Sequence, residues 1–132
     1  WTQRYLPLDL AARDPGAARQ AYTDLSTLIT HFPASPYVPD AKQRLIYLRN
    51  LFAQHQVEVA NFYWKRKAYV AASNRASSVV VNFPQTPAVE EALAIMVKSY
   101  RALGLEAEAN KTLQILQLNY PHSQYLQKKE VA

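Results

Sequence analysis

Residues 72–84 read ASNRASSVVVNFP, and two further stretches, AYTDLSTLITHFP at 21–33 and ANKTLQILQLNYP at 109–121, repeat their pattern. Each copy has a small or apolar residue at positions i, i+4 and i+7, an aromatic residue at i+11, and then a proline. Such spacing draws one apolar stripe along an α-helix, because residues three and four apart share a helix face. The proline ends the helix, since it biases the preceding residue away from the helical conformation. The stripe positions are Ala21, Leu25, Leu28 and Phe32, then Ala72, Ala76, Val79 and Phe83, then Ala109, Leu113, Leu116 and Tyr120.

The repeat predicts the fold class. A helix with one apolar stripe must bury it against neighbouring helices, so we predict an all-α fold, a tetratricopeptide-like (TPR-like) α-solenoid of stacked helical hairpins. The low glycine content, two residues in 132, favours helices. We expect residues 1–132 to form a single TPR-like domain of about three repeats, with 1–13 an incoming loop or the end of a preceding helix. Because the chain opens at Trp1 rather than Met, we expect a fragment of a longer protein.

One predicted helix is unusually long. No proline or glycine occurs from residue 40 to residue 67, so most of this stretch is predicted to be one helix that bridges two repeats. A cluster of polar residues at 54–56 marks the place where a kink is expected. The apolar side of this helix is predicted to carry Leu45, Leu48, Phe52, Val59 and Phe62. The other predicted helices are 15–31, 69–82, 87–103 and 107–119, with 123–132 starting a final helix that frays.

The connectors share a chemistry that starts the next helix. A hydroxyl residue two positions after each connector proline is placed to cap that helix, and in two copies another proline follows at the expected first helical position. A proline at residue 39 is expected to delay one start, and Gly104 to stop the helix before it. We expect the stripe aromatics to lock each joint, and small residues such as Ala41 and Ala92 to let helices approach closely. The predicted caps are Ser35, Thr86 and Ser123, and the predicted first-turn prolines are Pro36 and Pro87.

The middle of the chain is strongly basic. Residues 41–89 contain Glu58 as their one acidic side chain and carry a net charge of +6, whereas residues 1–40 carry −1 and residues 90–132 carry 0. Such an excess attracts an acidic protein surface, a nucleic acid or an anionic membrane. The basic residues of this segment are Lys42, Arg44, Arg49, Lys65, Arg66, Lys67 and Arg75.

The sequence contains no pattern of residues that is typical of an enzyme active site. The chain has no cysteine, so disulfides, cysteine-bound zinc and thiol nucleophiles are excluded. His31, His55 and His122 are far apart in sequence and form no metal-binding pair, and there is no glycine-rich phosphate loop. We therefore expect no enzyme, no metal and no cofactor. No stretch approaches the ~18 apolar residues of a membrane span.

A nucleic-acid hypothesis comes from residues 62–67, where three aromatic residues precede three basic ones. Aromatic rings beside basic side chains can stack bases and hold phosphates. No RNA-binding or DNA-reading signature accompanies them, so we expect no nucleic acid partner. The simpler interpretation is an exposed helix end whose basic residues favour the negative end of the helix dipole.

Several motifs occur in an order that resembles a known family. They are RDP at 13–15, ARQAY at 18–22, FPASPY at 32–37, KQRL at 42–45, VANFY at 59–63, AYVAA at 68–72 and NR at 74–75. Together with the long helix, they resemble the C-terminal half of the BamD family, the TPR lipoproteins of the outer-membrane β-barrel assembly machinery. The resemblance runs from about residue 13 to residue 120, and residues 1–10 match no motif of the family.

The resemblance implies a non-enzymatic scaffold. It implies five TPR-like repeats in the whole protein, of which this chain holds about the last three. It also implies a location at the periplasmic face of the Gram-negative outer membrane, through a lipid on an N-terminal cysteine absent here. In the family, the N-terminal repeats are associated with substrate handling, and the C-terminal repeats dock the POTRA region of BamA and support BamC and BamE. Unfolded outer-membrane protein segments are a further implied partner.

One family residue carries over directly. Arg75, which follows Asn74, matches the family arginine that pairs with an acidic residue on the last POTRA domain. Its planar head can make a bidentate contact with a carboxylate. We therefore expect Arg75 and Asn74 to bind the partner, together with Arg49, Lys65 and Arg66 of the basic segment. The alternative hypothesis is a TPR module that clamps an extended or unfolded peptide in a groove lined by Tyr37, Tyr47, Tyr63 and Tyr69.

Overall fold

The computed structural model describes residues 15–132, and this part of the chain is all-α and TPR-like, without a β-strand. The predicted loop or helix end at 1–13 lies outside the described residues. The helices are α1 (Pro15–His31), α2 (Val38–Lys65), α3 (Tyr69–Asn82), α4 (Ala88–Ala102), α5 (Glu106–Asn119) and a 3₁₀ helix (Gln124–Gln127).

The long helix is confirmed. It spans 28 residues as α2, and its helical hydrogen bonding continues through residues 54–56, where a kink was expected. The helices predicted at 15–31 and 69–82 begin and end where expected. The helix predicted at 87–103 is one residue shorter at each end, and the helix predicted at 107–119 begins one residue earlier. Local signals therefore suffice to place these elements.

The chain divides into two compact units, the first ending at His55 and the second beginning at Gln56, within α2. The described part of unit 1 contains α1 and the first part of α2. The rings of Tyr22 and Phe52 are in contact there, with centroids 6.0 Å apart. The buried apolar residues of unit 1 are Ala18, Val38, Ala41, Leu48 and Ala53.

Unit 2 is organised around α4. This helix packs against both α3 and α5, so nearly all of its faces are buried. The stripes of the second and third repeat copies point into this core as predicted, with Ala72, Ala76 and Ala109 fully buried. Such small residues allow close helix approach. The largest fully buried side chains of unit 2 include Leu93, Ile95, Leu116, Val57, Val79 and Val97.

The first repeat copy departs from this pattern. Its stripe residues on α1 are half-buried, and Phe32, predicted to lock the joint, is 61% exposed. The equivalent Phe83 and Tyr120 are half-buried. The physical reason is that an aromatic residue is covered by whatever helices pack beside it, and the described part of unit 1 has fewer helices than unit 2.

The predicted apolar side of α2 is partly wrong. Leu48 is buried, but Phe62 is exposed, and the residues that turn inward in the second half of the helix are Val57 and Ala60. Each helical residue advances the direction of the side chain by about 100°, so Phe62 lies roughly 200° around the helix from Ala60. The small residue therefore takes the core position and the aromatic residue faces outward.

The connectors confirm one cap and correct two. The Ser123 hydroxyl oxygen accepts from the backbone N–H of Tyr125 at 3.2 Å and caps the 3₁₀ helix. The Ser35 hydroxyl oxygen accepts from the N–H of Tyr37 at 3.2 Å, but Tyr37 precedes α2, so Ser35 closes the connector turn and does not cap the helix. Thr86 does not cap α4, because its hydroxyl is buried and donates to the carbonyl oxygen of Phe83 at 2.8 Å.

The two connector prolines also lie outside their helices. Pro36 precedes α2 by two residues, because the N–H of Val38 first closes a turn onto the carbonyl oxygen of Ser35. Pro87 occupies the position immediately before α4. The expectation that both residues sit at the first helical position was therefore wrong by one or two residues.

The C-terminal segment was expected to start a helix at 123–132, but it forms the short 3₁₀ helix and then a turn. Arg101 on α4 holds this segment, since its Nε donates to the carbonyl oxygen of Val131 at 3.0 Å. The Val131 side chain is fully buried. These long-range contacts replace the helical hydrogen bonds that the segment would otherwise make.

Two helices end in the same motif with different residues. After α4, Gly104 has φ +77°, and after α2, Lys67 has φ +61°. In both, the residue after the left-handed one donates its N–H to a helix carbonyl five residues back, Leu105 to Tyr100 and Ala68 to Tyr63. These are Schellman motifs, in which glycine is favoured because it lacks the Cβ that makes left-handed backbone costly.

We expect Gly104→Ala to lower the free energy of unfolding by about 1 kcal/mol, the cost of a Cβ in left-handed backbone. An added Cβ would meet no atom within 4 Å, so the effect is purely conformational. Lys67→Gly is the matched reverse change and is expected to raise the unfolding midpoint. Urea denaturation followed by circular dichroism measures both, and an unchanged midpoint for Gly104→Ala would contradict this account.

Candidate partner-binding site

The turn between α2 and α3 concentrates positive charge. Lys65 ends α2, and Arg66 and Lys67 form the Schellman turn that follows; we call these three residues the basic turn. All three side chains are exposed, and none of them forms an ion pair within residues 15–132. Their charges are therefore available to an acidic group on another molecule.

One member of the basic turn is held by an aromatic ring. The guanidinium carbon of Arg66 lies 3.6 Å from the centroid of the Phe62 ring, and its Nη1 donates to the Phe62 carbonyl oxygen at 3.4 Å. A cation over a ring face is attracted by the ring quadrupole. The exposed Phe62 thus orients Arg66 without neutralising it.

A second cation–aromatic contact lies in the same unit. The Lys98 ammonium is 4.5 Å from the centroid of the Trp64 ring, and the Tyr69 ring is 5.0 Å from that of Trp64. Burial lowers the pKa of the Lys98 ammonium below its usual value, and nearby Glu130 and Glu91 act in the opposite direction. Trp64 and Tyr69 therefore tie the end of α2 to the start of α3.

Arg75 is exposed near the middle of α3. Its Nη1 donates to the Oε1 atom of Gln56 on α2 at 3.2 Å. Gln56 is neutral, and no carboxylate among residues 15–132 pairs with this guanidinium. A guanidinium has five N–H donors, so the remaining donors can still form a bidentate contact with a carboxylate.

The structure places four of the five sequence-predicted site residues in unit 2. Lys65, Arg66 and Arg75 are exposed there, and Asn74 lines an open cleft beside the basic turn. Arg49 belongs to unit 1, where it is half-buried on α2. The cations of unit 1 are also partly offset, because Arg44 pairs with Asp40 at 3.0 Å.

Sequence reasoning missed three residues beside Asn74. Lys67, Val70 and Leu103 line the same cleft. Val70 and Asn74 are four residues apart on α3, the spacing of one helix face, which was a signal for Val70. Lys67 lies in the turn before α3, so helical spacing gave no signal for it. Leu103 had no such signal, since it reaches the cleft from the end of another helix.

Among residues 15–132, no three histidine, aspartate or glutamate side chains converge in a way that would hold a metal ion. Within that range no helix is both long enough and apolar enough to cross a membrane.

The amino-acid sequence of this chain is similar to those of known outer membrane proteins. The family model described as YfiO, an outer membrane lipoprotein, matches residues 2–116. The match therefore includes most of residues 1–10, where no motif of the family was expected. The outer membrane protein assembly factor BamD of Xylella fastidiosa strain Temecula1 is 39% identical over 93% of this chain and 42% of its own length. The BamD proteins of Haemophilus influenzae strain Rd and Neisseria meningitidis strain Z2491 are 38% and 39% identical over 89% of this chain.

The chain spans less than half the length of these curated relatives, between 42% and 45%. The match nevertheless covers most of the chain, including every helix from α1 to α4. The motif order, the long α2 and these matches agree, and the chain belongs to the YfiO (BamD) family of outer membrane lipoproteins.

Proposed function

We propose that this chain is the C-terminal, non-enzymatic scaffold region of an outer-membrane protein assembly factor, and that it docks the POTRA region of BamA at the periplasmic face of the outer membrane. BamC and BamE are further proposed partners. The support is the family membership, the relatives named as outer membrane protein assembly factors, and the exposed positive charge of unit 2.

The observation that carries the proposal is the state of Arg75. An exposed guanidinium whose partner among the described residues is the neutral amide of Gln56 keeps its charge and most of its donors. Isolated surface ion pairs contribute only about 0–1 kcal/mol, but an interfacial pair that loses its water can contribute several times more. Arg75 is therefore the residue that we expect to contribute most to the proposed interface through its charge.

We expect Arg75→Glu to weaken binding of the BamA POTRA region by at least about tenfold, because it replaces an attraction to a carboxylate with a repulsion. Isothermal titration calorimetry at two salt concentrations measures the effect, and the wild-type affinity is expected to fall as salt rises. Lys111→Glu is the control, since it makes the same charge change at an exposed position on α5.

Circular dichroism of each variant verifies that it is folded. Equal affinities of Arg75→Glu and wild type, with helicity preserved, would remove Arg75 from the interface. Equal losses for Arg75→Glu and Lys111→Glu would mean that net charge, and not this position, decides binding.

The peptide-clamp alternative makes a different prediction. Its four tyrosines fall into both units, Tyr37 and Tyr47 in unit 1 and Tyr63 and Tyr69 in unit 2. Titration of peptides from outer-membrane barrel strands against the chain distinguishes the two functions. Binding of such peptides without binding of the POTRA region would favour the clamp, and a salt-dependent shift with any oligonucleotide would favour nucleic acid.

A further inference from the structure

An open cleft of about 530 Å³ lies between the start of α3 and the end of α4. We call it the turn cleft, because the Schellman turn after α2 forms one wall. Three parts of unit 2 line it. They are the Schellman turn, the first two helical turns of α3, and Leu103, the residue before Gly104. Its lining side chains are Lys67, Ala68, Tyr69, Val70, Ala71, Asn74 and Leu103.

The floor of the turn cleft is apolar and uncovered. Val70 is 58% exposed and Leu103 is 37% exposed, and Ala68 and Ala71 also line the cleft. We call these four apolar residues the floor of the turn cleft, and the polar lining residues Lys67 and Asn74 its rim. An apolar floor with a few polar groups around it is typical of a site that receives a side chain from a ligand.

Lys67 occupies the rim at a conformational cost. Its φ of +61° belongs to the region where glycine is favoured, and the equivalent position after α4 is Gly104. Residues with strained backbone of this kind cluster at binding sites, where the function of the side chain compensates for the lower stability of the fold. A lysine in this position adds a cation to the lining of the turn cleft.

The charge around the turn cleft has one sign. Lys67 lines it, Lys65 and Arg66 adjoin it, and no acidic residue is part of the lining. No carboxylate in the described part of the chain pairs with any member of the basic turn. The complementary ligand is therefore acidic.

The turn cleft is also held in shape. The contact between the rings of Tyr69 and Trp64, with the Lys98 ammonium on Trp64, fixes the wall at the start of α3. A preformed site loses less entropy when its ligand binds.

We propose that the turn cleft binds an acidic segment of the partner protein, with one apolar side chain of that segment seated on Val70 and Leu103 and its carboxylates beside Lys67. The inference rests on the proposed function for the identity of the partner, the POTRA region. A lipid bilayer is the competing ligand for a basic and apolar surface.

The first experiment compares the apolar floor with an exposed position outside it. Val70→Asp and Leu103→Asp are each expected to weaken binding of the BamA POTRA region at least tenfold. Val81→Asp is the matched control, because Val81 is 71% exposed on the same helix as Val70 and is not part of the lining. Wild-type affinity of both floor variants, with helicity preserved, would overturn the proposal while leaving the proposed function in place.

The second experiment separates binding from folding at the rim. Lys67→Gly is expected to raise the unfolding midpoint and yet weaken POTRA binding several-fold, whereas Lys67→Arg is expected to retain the affinity. A merely structural role of Lys67 predicts that a more stable variant binds at least as well, so undiminished affinity of Lys67→Gly would overturn the role of this lysine.

The third experiment needs no POTRA region. The synthetic peptide DELFDE, titrated by NMR, is expected to shift the amide signals of residues 67–74 in the wild-type chain but not in Val70→Asp. The basic peptide KKLFKK is expected to shift these signals in neither protein. If the wild-type chain binds DELFDE at these residues but does not bind the POTRA region, the proposed function is wrong, and the proposal that the turn cleft binds an acidic segment is retained. Absence of any shift with DELFDE would overturn the proposal that the turn cleft binds an acidic segment.

Vesicles of phosphatidylglycerol and phosphatidylethanolamine test the competing ligand. We expect no cosedimentation of the wild-type chain at physiological salt. Cosedimentation that Val70→Asp and Leu103→Asp abolish, together with unchanged POTRA binding by these variants, would assign the surface to lipid and overturn the proposal.

Discussion

Replacing Leu116 with alanine is expected to lower the free energy of unfolding by about 2–5 kcal/mol. Leu116 lies on α5 in the third repeat copy, and its side chain is fully buried in unit 2. Truncation removes apolar atoms from the core and leaves a cavity that the surrounding helices fill only in part. Urea denaturation monitored by helical circular dichroism measures the loss.

Leu118→Ala is the matched control for this prediction. Leu118 is on the same helix and is 82% exposed, so its truncation is expected to change stability by no more than about 0.5 kcal/mol. Leu28, the repeat equivalent of Leu116, is half-buried on α1, and we expect Leu28→Ala to have an intermediate effect. Equal losses for Leu116→Ala and Leu118→Ala would mean that the stripe is not the buried face.

Enlarging Ala92 to leucine is expected to destabilise the protein by about 1–3 kcal/mol. Ala92 is fully buried on α4, the helix that packs against both α3 and α5. A close-packed interior has no space for three more carbon atoms, so the helices must separate or the new side chain must leave its preferred rotamers. Thermal and urea denaturation both report the change.

Ala102→Leu controls for the substitution itself. Ala102 is exposed at the end of the same helix, where a leucine meets no packed neighbour and has a similar helix propensity to alanine. We expect a change within about 0.5 kcal/mol there. Tolerance of leucine at residue 92 would show that α4 does not need a small residue to approach its neighbours.

Much of the secondary structure could be predicted from local residues. Prolines after residues 32, 83 and 120 and the glycine at 104 end helices through their own backbone geometry, and the structure ends four helices at or just before these positions. The absence of proline and glycine from 40 to 67 predicted the long α2 for the same reason. These are effects of residues on their own backbone and need no partner helix.

The side-chain predictions failed where burial depends on distant residues. Phe32 and Phe83 occupy the same repeat position, yet Phe32 is exposed and Phe83 is half-buried. Thr86 matches Ser35 in its connector, yet its hydroxyl turns back to the preceding carbonyl in a buried position. An identical local pattern therefore has different outcomes, because the covering helices differ.

For the candidate site, the sequence supplied the charges but not their surroundings. The basic segment and the position of Arg75 were visible in the residues and in the family resemblance. The neutral partner of Arg75 on α2 was not visible there, and neither was the fact that Lys67 and Leu103 line one cleft. Both involve residues separated by many positions along the chain.

By itself, the sequence determined the all-α class, the bounds of most helices and the concentration of positive charge between residues 41 and 89. Helical hydrogen bonds join residues four apart, so proline, glycine and apolar spacing control them within a few positions. Tertiary structure alone decided which faces are buried, that Lys67 adopts a left-handed backbone where glycine is favoured, and that Leu103 completes a cleft beside it. Those outcomes follow from packing between helices, which depends on the simultaneous shape of several distant segments.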